Sequence, residues 1–452
     1  MLRVAWVVSV AAALATLVLD EAAAAPLKRG DSRPNVVYIL LDDAGYGDFG
    51  ATGSPYVATP GFDRLCREGT RFTHHYNGSA LCGDARCTLL TGFDMGRRLH
   101  GAPSAGAGLR ENPCSHGWTT LRDEDVTIAE ALSHVGYATC GVGYWTLGDA
   151  GSAGAPELQG FDRWYGFLGA ERAHQHYAEW LWDGGRRVEL RRNREGGREL
   201  YVPNLLEREA LRFIRENSDR PFFLFLACTL PHAPYEIPER DPAALAYRDK
   251  PWPTEVRNYA AMLSRADRTA TNILELLDEL DLTDQTLVFY TADNGADPQI
   301  AATLASDSGL RGGRGDLYEG GIRTPMAVRW PGRIAPGATS DRPWSTADVL
   351  PTLCKLAGAA VPAGLSGVDV TATLMQEAAP PHPPMYWELV DPPQQAVRWG
   401  RWKGICRGDA DAIEVYDLQE DPSETRDLAS ERPREARLLR EAIAQARAEI
   451  GD

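Results

Sequence analysis

Asn35-Val36-Val37-Tyr38-Ile39-Leu40-Leu41-Asp42-Asp43 decides how this chain folds. Residues 35–41 form an apolar run of strand length, too uniformly apolar to leave one face in water. It ends abruptly in two aspartates. Three other stretches share this design: residues 286–291 lead into Asp293-Asn294-Gly295, residues 221–229 into Pro231-His232, and residues 138–142 into Tyr144-Trp145-Thr146-Leu147-Gly148. Amphipathic segments at residues 59–68, 127–135, 205–217 and 258–280 predict helices between them. In the last, Met262, Leu263, Ile273, Leu276 and Leu277 mark a buried stripe. This alternation predicts an α/β fold, a large mixed, mostly parallel sheet sandwiched between helices. Ligands of such sheets gather beyond the carboxyl ends of the strands, so the four polar segments converge on one crevice.

Farther along, a proline-rich stretch at residues 379–384 introduces a second unit. Short runs at residues 396–399, 402–406 and 413–418 predict a small C-terminal antiparallel sheet, closed by a helix over 432–450. The expected organisation is a signal peptide at 1–25, a large α/β unit at 34–378 and a small α+β unit at 385–452. Arg3, the apolar run 4–19 and the small residues Ala22 to Ala25 carry the export signal, which directs the chain to the periplasm or outside the cell. The run is too short to expect stable membrane insertion, and no cysteine follows it for lipid attachment. Eight cysteines in an exported chain permit four disulfides, but their scatter assigns no pairing. Cys140 and Cys228 sit in apolar runs and read as small buried residues.

The chain has 452 residues, of which 44% are hydrophobic, and a formal net charge of −16. That charge argues against nucleic acid and anionic membrane surfaces as partners. An anionic substrate therefore needs a local cluster of cations or a metal. Asp42, Asp43, Asp293 and Asn294 are hard oxygen donors without histidines or cysteines at zinc spacing, which suits calcium, with magnesium the alternative. Either pair alone reads as a turn or cap after a strand. Two pairs ending two apolar strands, with a reactive cysteine motif between them in sequence, read as a metal site.

That motif is Leu81-Cys82-Gly83-Asp84-Ala85-Arg86-Cys87-Thr88-Leu89-Leu90-Thr91-Gly92. It resembles the nucleophile signature of the sulfatase family, Cys-x-Pro-x-Arg followed by a short helix ending in Leu-Thr-Gly. The resemblance extends to the opening segment 35–50, to Thr59-Pro60 and the element at 63–72, and to Pro231-His232-Ala233-Pro234. It continues through residues 291–295, 310–325 and 417–428, covering the chain from about residue 34 onward. It implies a sulfatase of the alkaline phosphatase superfamily, with Asp42, Asp43, Asp293 and Asn294 around calcium. Cys82, oxidised to formylglycine by a formylglycine-generating or other maturing enzyme, would be the nucleophile and would also touch the metal. Arg86 would pair with it, and His232 would donate to a sulfate oxygen or to the leaving group. Arg314 stands where the family has a lysine. The expected substrate is a sulfate ester of a small molecule or carbohydrate.

Three positions depart from the pattern. Asp84 replaces the signature proline. Tyr144 and Thr146 stand where the family's Gly-Lys-Trp-His-Leu-Gly block puts the lysine and histidine that contact sulfate. Each charge-assisted donor is worth on the order of 2–4 kcal/mol of transition-state stabilisation. Donors in the segment containing His174 and His176 offer compensation; a solvated loop is the plainer reading. Three readings stay open: a sulfatase, a phosphate or phosphonate ester hydrolase of the same superfamily, and a catalytically silent homologue that binds metal and ligand. Loops at residues 96–118 and 171–198 are expected to select the substrate.

Overall fold

A computed structural model describes residues 33–96, 120–408 and 412–448 of the chain. The export signal at 1–25 and nearly all of the 96–118 loop lie outside the described residues.

The apolar run is the strand β1 (Asn35–Leu41), and every residue in it is buried. It sits mid-sheet, parallel to β7 (Phe222–Ala227) on one side and β8 (Thr286–Ala292) on the other, with Tyr38 opposite Phe225 and Phe289. β3 (Ala138–Tyr144) continues parallel beyond β7, and β4 (Arg163–Phe167) beyond β3. Antiparallel strands complete both flanks: β5 (Trp180–Asp183) and β6 (Arg186–Glu189) on one, β9 (Arg323–Arg329) and then β2 (Thr70–Tyr76) on the other. β10 (Ala338–Ser340) and β11 (Trp344–Ser345) run parallel to β2 at that edge. The expected mixed, mostly parallel sheet is observed.

Alternation along β1 sends side chains into two cores. Val37, Ile39 and Leu41 pack with the helices Pro60–Glu68, Val202–Glu216 and Thr254–Glu279. Val36, Tyr38 and Leu40 pack on the opposite face with Cys82–Thr91, Ile128–Ser133 and Val349–Ala357. A strand covered on both faces has no polar side to show, hence its apolar sequence from Val36 to Leu41. The stripe expected on the long helix is buried, from Met262 to Leu277, and the helix begins at Thr254 rather than 258.

The second sheet is an antiparallel meander of β12 (Met385–Leu389), β13 (Gln394–Trp399), β14 (Trp402–Arg407) and β15 (Ile413–Asp417). Its first strand was not expected, although Met385, Trp387 and Leu389 alternate correctly; the prolines before it mask the signal. Those three side chains pack toward the large sheet against Tyr76, Leu317 and Ile322. Tyr386, Val397 and Val415 face the helix Pro433–Ala448 through Ala436, Leu439 and Ile443. Cys66, Cys82, Cys140, Cys228 and Cys354 are free thiols, and Cys140 and Cys228 are buried as expected.

Candidate active site

Because β1, β3, β7 and β8 are mutually parallel, their carboxyl ends open on one edge of the sheet. Backbone bonds extend the ladder past the strand ends: Asp293 N donates to Leu41 O, Cys228 N to Leu40 O and Asp42 N to Leu230 O, at 2.8–3.0 Å. These bonds fix the polar tails relative to one another. Asp43 then turns into the left-handed region at φ 64°, costly for a residue other than glycine or asparagine and tolerated where the surroundings impose it. What imposes it is a clasp. Asn294 Nδ2 donates to Asp43 Oδ1 at 2.7 Å, Asp43 N donates to Asp293 Oδ1 at 3.2 Å, and Tyr259 Oη donates to the Asp43 carbonyl at 3.2 Å. Tyr259 also bonds Asp48, whose carboxyl takes the Gly45 N–H and the Ser306 hydroxyl. Burial pushes the Asp48 pKa up to about 6 despite these donors. Asp48 belongs to the opening motif but carried no assigned role there. Tyr259 left no sequence signal at all, being one apolar position among many on its helix.

Cys82 is the first residue of the helix Cys82–Thr91, all ten of whose residues are buried. Its free N-terminal N–H groups favour an anion. The sulfur lies 3.1 Å from Asp42 Oδ1 and 3.8 Å from Asp43 Oδ1. Burial, then Asp42, Asp293 and Asp43, push the thiol far above its ordinary range, so in the absence of a cation it stays neutral. Asp84 occupies the first turn of this helix, where a carboxylate suits the helix dipole. Arg86, one turn in from Cys82, is fully buried and reaches across the crevice. It holds Asp293 Oδ2 from Nε and Nη2 at 3.2 and 2.8 Å, approaches Asp42 Oδ2 at 3.4 Å and donates to the Tyr144 carbonyl at 2.6 Å. Arg314 enters from the opposite side, 3.2 Å from Asp43 Oδ1 and 4.0 Å from the Cys82 sulfur. Its loop is pinned to the nucleophile segment by the bond from Gly315 N to Ala80 O.

Three carboxylates thus face two guanidinium groups. Burial, followed by the charge of Asp42, drives the Asp293 pKa well up, as expected of an acidic cluster short of positive charge. Ligand atoms of Asp42, Asp43, Cys82 and His232 lie within 4.8 Å of one another. Asp42 Oδ2 and Asn294 Oδ1 are buried without a hydrogen-bond partner. Oxygen donors, an excess of negative charge and unsatisfied oxygens suit a hard divalent cation.

The donor side is built differently. His232 follows β7, its Nε2 3.4 Å from Asp43 Oδ2 and its Nδ1 bonded to the Ala233 carbonyl. Tyr144 ends β3 with the Arg86 guanidinium 4.5 Å from its ring centre. Thr146 sits at φ 71°, an outlier for a β-branched residue. Trp145 between them turns into the core and donates to Gly154 O at 2.8 Å. Of the two histidines beyond, His174 joins the site, stacked on His232 and 3.9 Å from Asp42 Oδ2. His176 instead bonds the carbonyls of His232 and Pro234 and secures that loop.

An acidic cluster with unsatisfied oxygens beside a helix-borne cysteine, at the open edge of a covered parallel sheet, is an arrangement that suits an oxyanion ester. The chain matches the sulfatase family over residues 34–359 and the family of the N-sulphoglucosamine sulphohydrolase C-terminal region over 314–448. It is 33% identical to human arylsulfatase A across 87% of this chain and 83% of that protein. To human N-acetylgalactosamine-6-sulfatase it is 31% identical, covering 78% and 68% respectively. Among solved structures it resembles Ps i-CgsB in complex with k-i-k-neocarrahexaose, with a TM-score of 0.77, 26% identity and coverage of 92% and 93%. The chain belongs to the sulfatase family.

Proposed function

We propose that this protein hydrolyses a sulfate ester at a calcium site, with Cys82, matured to formylglycine, as nucleophile. The observation that carries the reading is the joint position of Cys82 and Arg86. One helix holds the sulfur 3.1 Å from Asp42 and the guanidinium against Asp293, so nucleophile and charge balance share one rigid element. Asp42, Asp43, Asp293 and Asn294 would hold the cation, which when bound neutralises the sulfate oxygens and lowers the barrier to attack on sulfur. The formylglycine hydrate supplies two hydroxyls on one carbon, one to attack and one to release sulfate afterwards. Arg86 keeps Asp293 and Asp42 in place, Arg314 brings positive charge to the outer face of the sulfate, and His232 donates toward its oxygens. Tyr144 and Thr146 line the donor side as neutral groups.

A carbohydrate substrate is favoured by the segment 172–187, where Trp180 lies beneath the Arg172 and Arg187 guanidinium groups at 4.5 and 4.4 Å. Arginines stacked on an aromatic ring, in the segment that also carries His174, suit an anionic sugar chain. Export through residues 1–25 and division into units 34–378 and 385–452 belong to the same reading. Among the described residues no helix is long and apolar enough to cross a membrane.

The silent-homologue reading rests on Asp84, Tyr144 and Thr146, all buried where the family carries a proline, a lysine and a histidine. Mass spectrometry of the Cys82 peptide from the native host, with parallel assays on aryl sulfate and aryl phosphate, separates the readings. Formylglycine with sulfate-selective turnover is expected. An unmodified thiol and no turnover of either ester would leave only metal and ligand binding.

A further inference from the structure

Two imidazoles lie face to face beside the nucleophile. The rings of His174 and His232 are 3.6 Å apart and 5° from parallel. Tyr144 meets His174 edge-on at 5.5 Å, completing a wall of three rings. Both histidines turn Nε2 toward the aspartate pair, His232 to Asp43 Oδ2 at 3.4 Å and His174 to Asp42 Oδ2 at 3.9 Å. The other oxygen of Asp42 is the one 3.1 Å from the Cys82 sulfur. His174 Nε2 is thus one carboxylate away from the proposed nucleophile, beside Tyr144, whose phenol interacts with the Thr146 hydroxyl.

The surroundings hold this ring in place. Residues 170–173 form a helical turn immediately before it, and His176 anchors the neighbouring His232 loop through two carbonyls. The parallel stack sets the two Nε2 edges side by side against the aspartate pair, so an anion held at that pair would meet both rings.

We propose that His174 donates a hydrogen bond through Nε2–H to the oxygen linking sulfur to the departing alcohol, replacing the donor that the Thr146 position lacks. This rests on the sulfatase reading. In the step concerned, the oxygen nucleophile forms its bond to sulfur while the sulfur–alcohol bond breaks. The electron pair of the broken bond stays on the alcohol oxygen, and the donor stabilises the charge gathering there. His232 serves the neighbouring oxygen from the same stack.

The test combines binding with leaving-group selectivity. Calorimetric titration of the calcium-loaded protein with inorganic sulfate is expected to show about 10-fold weaker binding in His174→Ala, with His174→Gln, which keeps an N–H at similar reach, within a few-fold of wild type. Hydrolysis by His174→Ala is expected to fall roughly 100-fold more for an alkyl or sugar sulfate than for a nitrophenyl sulfate, whose leaving group needs little help. Placing the imidazole at the other position, in His174→Ala/Thr146→His, is expected to restore the alkyl sulfate reaction; histidine also accepts a positive φ better than threonine. Thermal unfolding identifies any misfolded variant, in which case His174→Gln alone carries the comparison. Unchanged sulfate affinity, or an equal loss for both leaving groups, overturns the assignment and reduces His174 to packing. A wild-type protein that neither binds sulfate nor cleaves either ester overturns the sulfatase reading itself, and this inference with it.

Discussion

Two buried clusters in this molecule pair carboxylates with cationic side chains and end up opposite in character. Between the two sheets, Lys403 Nζ lies 3.0 Å from Glu319 and 2.9 Å from Glu424, while Arg323 Nη1 is 3.6 Å from Glu319. Tyr76 donates to Glu319 at 2.6 Å and accepts from Arg398. Two carboxyl groups there meet three cationic side chains, and the cluster closes on itself. At the strand ends, Asp42, Asp43 and Asp293 meet Arg86 and Arg314, three carboxyl groups against two guanidinium groups, with His232 and His174 alongside. The cluster with cations in excess fastens one sheet to the other. The one with carboxylates in excess, on the proposed reading, takes up a cation, and the sign of the excess separates a receptor from a fastener.

The difference can be broken at several points. The largest effect should come from Cys82→Ala, which removes the proposed nucleophile and leaves both clusters in place. Hydrolysis of aryl sulfate should fall on the order of 10⁴-fold or more, while calcium still raises the unfolding temperature. Loss of both together would mean that Cys82 acts chiefly as a metal ligand. Next is Lys403→Met, which strands Glu319 and Glu424 in the interior at a cost of about 3–5 kcal/mol. Denaturant unfolding should show that loss equally with and without calcium, because the inter-sheet cluster, with cations in excess, has no use for the ion. Removing calcium from the wild type should cost less, about 2.7 kcal/mol relative to protein at one hundred times its dissociation constant. The same chelation should leave Asp42→Asn nearly unmoved. An equal calcium response in that variant would place the ion elsewhere.

How much of this was legible in the sequence depended on periodicity. β1 and β8 and their acidic tails were readable because strands buried on both faces spell themselves as apolar runs, and tails of parallel strands must meet. β2 was not, since Thr73, His74 and His75 give it a polar look in the middle of an edge region. β12 was hidden behind prolines, and with it the tie between the sheets: nothing in Glu319, Lys403 or Glu424 announces that they meet. On the donor side, Tyr144 and Thr146 were placed by their strand, whereas His174 and His176 sit two apart in one segment and take unrelated roles. Side-chain direction outside regular structure decides that, and no period encodes it.

The smallest expected effect tests the inter-sheet cluster through pH. Burial, with help from Glu319, pushes the Glu424 pKa up to about 7 against the pull of Lys403. Burial would raise Glu319 too, but Lys403, Arg323 and Arg398 hold it down at about 2. In the unfolded chain both return to an ordinary glutamate value near 4.5. From there to about pH 7 the folded state keeps the Glu424 proton that the unfolded state has lost, so stability from this group falls as pH rises. Below that window its contribution is complete. Glu319 works in the reverse sense, supporting the fold above its unfolded value and losing that support as pH falls toward 2. The Asp48 and Asp267 carboxyls, pushed up to about 6 and about 7, titrate across the same range, so the wild-type slope alone assigns nothing. The informative quantity is the difference between wild type and Glu424→Gln, each followed by denaturant unfolding with calcium present so that the strand-end aspartates keep their cation. Glutamine holds the size of the side chain without a titrating proton, and the decline between pH 4.5 and 7 should become shallower in the variant. Parallel declines would show that Glu424 stays ionised in the fold, in which case the fastening cluster runs on three cations and two full anions.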